Sequence, residues 1–279
     1  MTGPGVLLVV GTPIGNLGDL SRRAEDELGR ADAVCCEDTR RTGRLLKHIG
    51  VHAPKLLTVN DHTEARAVDE IVRRVGAGER VALVSDAGMP GISDPGEQVV
   101  QAVVAAGLAV EVIPGPSAVV SALVVSGLPA GRFAYEGFLP RKGSGRTERI
   151  AAIAVEPRTV VLYEAPHRIA RTVAELAAAC GGDRRVALAR ELTKLHEEVW
   201  RGTLAGAVDH LEAHPPLGEF VLVLDGAPPP VEVDDARVES EARAALAAGL
   251  SPRDAAADVA EALGIPKRRA YAAVTAIAR

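Results

Sequence analysis

The segment Ser85–Gly96, SDAGMPGISDPG, gathers three glycines, two prolines and two aspartates in twelve residues. Such a loop brings bare backbone N–H and C=O groups close to a ligand, because glycine lacks a Cβ and proline fixes the remaining turns. It is longer than the usual strand-to-helix connection of about two to six residues, which favours a binding role over a plain link. A second glycine loop, Gly11–Gly18, also follows an apolar run. Its spacing is G-x3-G-x2-G rather than G-x-G-x-x-G, and Pro13 removes an N–H from the turn that would face a pyrophosphate. A dinucleotide site is therefore disfavoured, even with the acids Glu37 and Asp38 about twenty residues on. No GK[ST] follows a glycine run, so a nucleoside-triphosphate loop is missing as well.

Several polar clusters lie at the ends of apolar runs. Glu37 and Asp38 are placed to accept a proton or orient a sugar, or else to cap the next helix. Arg40 and Arg41 follow, either as a solvated ion-pair face or as a grip on phosphates. Asp61 and His62 end a third run, where His62 is a candidate base or a surface hydrogen-bonder. His167 and Arg168 open a helix after YEAP, where free N–H groups favour anions. Glu191 and Lys194, in ARELTKLHEE, either reach a cleft or form a salt bridge. Between Arg132 and Arg149 five basic residues, among them Arg141, Lys142 and Arg146, stand against two acidic ones in a chain of formal charge −5. With two glycines nearby, this stretch reads as a mobile basic loop suited to a polyanion.

The elements that must position these residues follow from periodicity. Strands are expected at Gly5–Val10, Ala33–Cys36, Lys55–Val59, Arg80–Ser85 and Ala109–Ile113, with helices at 21–30, 40–49, 63–77 and 96–106 between them. That alternation predicts an open parallel sheet, whose ligands sit beyond the carboxyl ends of the strands, where the glycine loops fall. Pro114-Gly115-Pro116 reads as a hinge closing an N-terminal α/β domain, 1–115. A second α/β domain, 116–227, has strands at Arg132–Glu136, Thr159–Tyr163, Arg185–Arg190, His196–Arg201 and Glu219–Leu224, the later ones close enough for antiparallel pairing. Its helices are expected at 117–126, 166–180 and 203–213. Beyond GAPPP, the acidic VEVDDARVES reads as a linker to a helical module, 236–279. There a Ser251-Pro252 helix start, a break at Gly264 and a second helix near Pro266 outline a helix-turn-helix. Lys267, Arg268 and Arg269 suggest a phosphate contact, and a hairpin that only packs or dimerises is the alternative.

Composition narrows the classes. The 279 residues, 47% apolar, can bury one large core or two smaller ones. Cys35, Cys36 and Cys180 give neither a disulfide framework nor a CxxC metal pattern, which points to the reducing cytosol. The apolar run near the N-terminus is shorter than the roughly 18 to 20 residues a membrane span needs, so no membrane association is expected. Three Phe, three Tyr and one Trp leave no stock of rings for stacking many unpaired bases.

The strings VGTPIGNLGDLS, CEDTRRT, SDAGMPGISDPG, IPGPSAVVSAL, GFLPRKG, YEAPHR and ARELTKLHEE occur in this order between residues 5 and 225. Together they resemble the bacterial 16S ribosomal RNA (cytidine 2′-O)-methyltransferase family, ribosomal RNA small subunit methyltransferase I, of the tetrapyrrole methylase superfamily. The resemblance implies an S-adenosylmethionine-dependent enzyme with two α/β domains of tetrapyrrole methylase type, the cofactor in the cleft between them, and a small C-terminal helix-turn-helix-like module. It carries cofactor contacts onto Pro13, Asp86, Ala87, Gly88, Met89, Gly91, Ile92, Ser93, Pro114, Ser117, Ala118, Leu162 and Tyr163. The implied reaction is 2′-O-methylation of a cytidine ribose in 16S ribosomal RNA within the 30S subunit, by a cytoplasmic homodimer.

For that chemistry the residues themselves offer Glu37, Asp38, Asp61, His62 and Lys194 as catalytic candidates. RNA contacts are expected from Arg40, Arg41, Arg141, Lys142, Arg146, His167 and Arg168. The first loop reads GTPIGNLGD where the tetrapyrrole branch has GxGxGDP, which disfavours a porphyrin-like acceptor. A tetrapyrrole or corrinoid small-molecule methyltransferase and a non-catalytic RNA-binding assembly factor remain the alternatives. With no ring assigned to stack the acceptor base, that base is expected to be presented by a preformed RNA surface.

Overall fold

The computed structural model describes residues 5–52, 55–59, 64–229 and 233–278, without the side chains of residues 65 and 66. Asp61 and His62 lie outside the described residues. The chain is divided into two compact units, Met1–Ala227 and Pro228–Arg279.

The first unit begins with β1 (Val6–Val10), β2 (Ala33–Cys36), β3 (Leu56–Thr58), β4 (Arg80–Leu83) and β5 (Ala109–Ile113), joined through α1 (Arg22–Arg30), α2 (Thr39–His48), α3 (Glu64–Gly76) and α4 (Glu97–Ala105). The sheet order is β3-β2-β4-β1-β5, with every pairing parallel. A strand covered on both faces needs apolar side chains at every position, and β1, VLLVV, is buried throughout. Val6, Leu8 and Val10 meet α1 and α2 through Leu28 and Leu46, whereas Leu7 and Val9 meet α3 and α4 through Ile71 and Val99. Cys35 and Cys36 fall on opposite faces by the same alternation. Because β1 pairs with β4, the loops leaving their carboxyl ends are neighbours, which sets the two glycine loops side by side.

The same unit continues with α5 (Ala118–Ser126), β6 (Phe133–Phe138), α6 (Ser144–Val155), β7 (Thr159–Glu164), α7 (Pro166–Cys180), β8 (Arg185–Arg190), β9 (Glu198–Thr203), α8 (Leu204–Ala213) and β10 (Phe220–Leu224). These strands form a second sheet, β6-β7-β10-β8-β9, antiparallel except for β6 with β7. One face packs on α6, α7 and α8 through Ile150, Val173 and Leu211. The other face, with Val161, Ala189 and Val221, is covered by Val119, Ala122 and Leu123 of α5 and by Ile14 from the first glycine loop. That loop therefore reaches across to the second sheet, and a cleft opens beside it.

Two expectations need correction. The stretch taken as a mobile basic loop contains helix α6, and Arg146 is a core residue, 3% exposed. Arg146, Ile150 and Ile153 recur at helical spacing, with an arginine occupying the first apolar slot. Its guanidinium is matched by Glu175, Thr172 Oγ1 and the Pro140 carbonyl. The acidic stretch taken as a linker is largely helix as well. In the second unit α9 (Asp235–Ala247), capped by Asp234, joins α10 (Pro252–Leu263) and α11 (Lys267–Ile277) around Val238, Ala242, Val259 and Val274. Ser251 caps α10, and Gly264 ends it in the left-handed conformation. Arg269 is held by Asp235 and the Val233 carbonyl, while Lys267 and Arg268 are exposed.

Candidate functional site

Loops from both sheets surround a cavity of about 370 Å³. Its N-terminal wall is Ile14 and Ala87 to Met89, with Ile92, Ser93 and Asp94, and the start of α5 adds Ser117 and Ala118. The second sheet contributes Phe138, Tyr163 to Pro166, Ala189, Leu192, Lys194 and Glu219 to Val221. A volume of this size lies in the range of about 300–1,000 Å³ typical of small-molecule sites.

The wall is built from backbone. Thr12 and Gly88 exchange N–H···O bonds of 2.9 and 3.1 Å, and the Thr12 hydroxyl donates to the Ser85 carbonyl at 3.1 Å. Gly88 lies at φ +83°, which favours glycine. Gly11 and Gly115 lie so close that a Cβ added to Gly11 would stand 2.7 Å from Gly115 Cα and from Met89 Sδ. Ser117 caps α5 by accepting from Val120 N. The far end of the long loop is held by Glu64, 7% exposed, whose Oε1 accepts from Gly96 N at 2.9 Å and Gln98 N at 3.0 Å. A carboxylate at the start of α4 suits the positive end of the helix dipole.

Aromatic rings close the other side. The Ser93 and Tyr135 hydroxyls are 2.5 Å apart, and Tyr163 packs edge-on to Tyr135 and tilted against Phe138, with centroids 5.4 and 5.5 Å apart. Burial pushes the Tyr163 phenol well above its ordinary pKa, so it stays protonated. At the rim the Lys194 ammonium donates to Glu191 Oε1 and Glu219 Oε2, both at 2.9 Å. Burial alone would depress its pKa, but the two carboxylates outweigh that and raise it. The lining carries Asp94 and Glu219 against this one ammonium, Glu164 being paired with Arg168, an electrostatic balance that suits a cation. The turn bearing Lys194 is strained: Glu191 and Thr193 take φ of 50° and 66° without being glycine. It presses on Gly15, where a Cβ would meet Lys194 Cγ at 2.5 Å.

The cofactor expectations divide. Ala87, Gly88, Met89, Ile92, Ser93, Ser117, Ala118 and Tyr163 line the cavity, whereas Gly91, Pro114 and Leu162 do not. The Leu162 side chain belongs to the core on the opposite sheet face. Pro13 and Asp86 line a separate polar hollow with Thr12, Arg41 and Arg44. There Asp86 accepts from Asp38 N and pairs with Arg41 at 3.4 Å. Among the described catalytic candidates, Lys194 alone lines the cavity. Asp38 caps α2 and grips Arg40, whose hydrogen bonds hold its carboxyl down at about 2, which leaves it a poor proton acceptor. Glu37 sits half-buried between β2 and α2, outside the cavity wall.

Of the expected RNA contacts, Arg141, Arg146, His167 and Arg168 line one basic hollow of about 380 Å³ with Arg171, which had not been singled out. Lys142 is exposed beside it, and Arg40 and Arg41 lie on α2. Phe138, Glu164, Ala165, Pro166, Ala189, Leu192, Glu219, Phe220 and Val221 were also missed. Their only sequence signal was position, at the carboxyl ends of β6, β7 and β8 and the start of β10.

Two sheets with a donor-sized cleft at the carboxyl ends of the first define a methylase of the tetrapyrrole type, and the family model for Tetrapyrrole (Corrin/Porphyrin) Methylases matches residues 6–208. The structure resembles uroporphyrin-III-C-methyltransferase from Thermus thermophilus with a TM-score of 0.56 and 23% identity, over 79% of this chain and 94% of that one. Proteins named ribosomal RNA small subunit methyltransferase I are closer in sequence. That of Xylella fastidiosa is 46% identical over 97% of this chain and 99% of its own, and that of Thermotoga maritima 44% identical over 80% and 99%. The chain belongs to the ribosomal RNA small subunit methyltransferase I family of the tetrapyrrole methylases. It is a methyltransferase, and S-adenosylmethionine is the methyl donor of the class.

Proposed function

We propose that the protein transfers a methyl group from S-adenosylmethionine to the ribose 2′-oxygen of a cytidine in 16S ribosomal RNA. The observation that carries this reading is the donor-sized, acid-lined cavity in a chain whose near full-length relatives bear the ribosomal RNA methyltransferase name. The cavity fits the donor on its own geometry: glycine loops allow backbone approach, rings and Val221 offer an apolar end, and the excess of carboxylates suits a sulfonium. When bound, the donor supplies an electrophilic methyl on a cationic sulfur.

Gly88, Met89, Ser117 and Ala118 would hold the donor, with Tyr163, Ala189 and Val221 at its apolar end. The protein's own contribution is then largely orientation, because an in-line displacement needs acceptor oxygen, methyl and sulfur aligned at contact. Lys194, kept as an ammonium by Glu191 and Glu219, is unsuited to remove a proton and suited to stabilise charge developing on the ribose oxygen. Glu37, Asp61 and His62 remain candidates for the proton acceptor. Pro13, Asp86, Arg40 and Arg41 border the neighbouring hollow and α2, where an RNA strand entering beside the first loop would pass.

Among the described residues no helix is long and apolar enough to cross a membrane. Action on the 30S particle places the protein in the cytoplasm. A homodimer would cover apolar side chains that a monomer leaves in water, among them Val112 of β5 and Val120 and Val124 of α5. Light scattering should then give twice the chain mass.

The test of the reaction is radiolabel transfer from the donor into undermethylated 30S subunits. Label should appear in 16S RNA as an alkali-resistant dinucleotide containing cytidine, because a 2′-O-methyl blocks cleavage by the adjacent hydroxyl. Label on a base, or on a tetrapyrrole with none in RNA, would overturn the reading.

A further inference from the structure

Phe138 is the unexplained residue of the site. It lines the donor cavity yet is 52% exposed, whereas Ala189, Leu192 and Val221 of the same wall are each below 9%. Its direction is not that of a regular strand. Residues 135 and 138 of an uninterrupted strand point to opposite faces, yet both rings pack on Tyr163. The pairing of β6 with β7 shifts register between Tyr135 and Gly137, and Gly137 takes φ +62°. This bulge turns the Phe138 ring onto the cavity rim, the kind of re-aiming bulges provide beside active sites.

Three residues on, the same segment enters the basic hollow formed by Arg141, Arg146, His167, Arg168 and Arg171. Two carboxylates answer its four guanidiniums: Glu175 pairs with Arg146 and Arg171, and Glu164 pairs with Arg168. Among the described residues Arg141 makes no ion pair, so the hollow keeps a positive surplus. An exposed ring beside a cationic hollow, joined by a few residues of extended chain, matches a nucleotide with its base on the ring and an adjoining phosphate in the hollow.

We propose that Phe138 is the stacking surface for the unpaired base of the acceptor nucleotide, and that the Arg141–Arg171 hollow holds a phosphate next to it. The proposal rests on the RNA reading above and extends it to the substrate's base. A single ring suffices for one displaced base, so the scarcity of aromatics in the chain is no obstacle. Because every base presents a π-face, Phe138 holds the nucleotide without reading its identity.

The experiment measures retention of undermethylated 30S subunits on filters without methyl donor, together with donor affinity by calorimetry. Phe138→Ala should weaken 30S retention at least about fivefold, and Phe138→Tyr should stay within about twofold of wild type. Arg141→Ala should weaken retention and lower the salt slope by about one. Arg141→Ala should bind the donor as wild type does, and Phe138→Ala should lose more in 30S retention than in donor affinity. Unchanged 30S retention by Phe138→Ala, or weakened donor binding instead, would overturn the assignment. A wild-type protein that methylates 30S RNA while Phe138→Ala binds normally removes only the stacking role. A wild-type protein that methylates another acceptor removes the RNA reading and this assignment with it.

Discussion

Replacing Gly115 by alanine tests the claim that backbone contact between two glycine loops shapes the donor cavity. The new Cβ would stand 2.8 Å from Gly11 Cα, C and O. These are main-chain atoms at the end of a buried central strand, so no side-chain rotation relieves the overlap and the loops must part. Overpacking of this kind costs about 1–3 kcal/mol. At about 2–4 °C per kcal/mol for a unit of this size, the melting temperature should fall by roughly 2–12 °C. Parting the loops also displaces Thr12 and Ser117, which fix the Gly88 strand-like bridge and the start of α5, so donor affinity should fall by about tenfold or more. The control is Gly43→Ala on α2, where a Cβ meets nothing within 4 Å and the change should stabilise the helix by about 0.5–1 kcal/mol. Scanning calorimetry with and without S-adenosylhomocysteine reads both effects. A Gly115→Ala protein with wild-type melting and wild-type ligand affinity would refute the reasoning.

Arg146→Ala should lower stability by about 1–3 kcal/mol in a denaturant titration, because the buried Thr172 hydroxyl and the Pro140 carbonyl lose their donor while Glu175 keeps Arg171, and Arg141→Ala should leave stability unchanged. The folded-state pKa of Asp38, about 2 against an ordinary 3.8, means its contribution is complete above about pH 4 and lost as pH falls through 2. Asp38→Asn should therefore flatten that part of the pH–melting profile. Burial first, then the neighbouring Cys36, pushes the Cys35 thiol up to about 12 from 9.0, so the folded chain keeps a proton that the unfolded chain releases above pH 9. Alkylation of Cys35 at pH 8.5 should be negligible until denaturant is added, and Cys35→Ala should reduce the stability lost above pH 9. A chain ending at Ala227 should melt cooperatively and bind the donor, since Met1–Ala227 is compact by itself and 80% of this chain covers 99% of the Thermotoga relative.

The parallel sheet was legible because β1 is an unbroken apolar run between two glycines and β5 a β-branched run ended by Pro114, and the structure places them within a residue of expectation. Helix α6 was not, because its first core position is Arg146, which enters the interior only with Glu175 and Thr172 fixed by a distant helix. Sequence periodicity has no way to register a partner 26 or 29 residues away. The glycine loops that line one wall of the cavity stood out in the sequence for the same local reason. The other wall depends on register: Glu219 and Val221, alternate residues, line the cavity because β10 pairs with β7 and β8 at particular residues. Phe138 depends on a single bulge, and Asp86 turns to the neighbouring hollow because Arg41 and Asp38 N engage its two oxygens.

Charge is divided between the two hollows in a way that bears on how the reaction is ordered. The donor cavity holds an excess of carboxylates, and the hollow beyond Phe138 an excess of guanidiniums. A cationic donor is thus favoured in the first and a phosphate backbone in the second, and each would be repelled from the other's place. Lys194, at the cavity rim, carries the opposite charge to its own cavity and is held there by Glu191 and Glu219. Neutralising it in Lys194→Met should leave donor binding intact or tighter, since a positive charge is removed beside a sulfonium. Turnover should nonetheless fall, since the group facing the developing alkoxide is gone. Intact or tighter donor binding with reduced kcat separates this role from a structural one, which would weaken both; unchanged kcat would refute it.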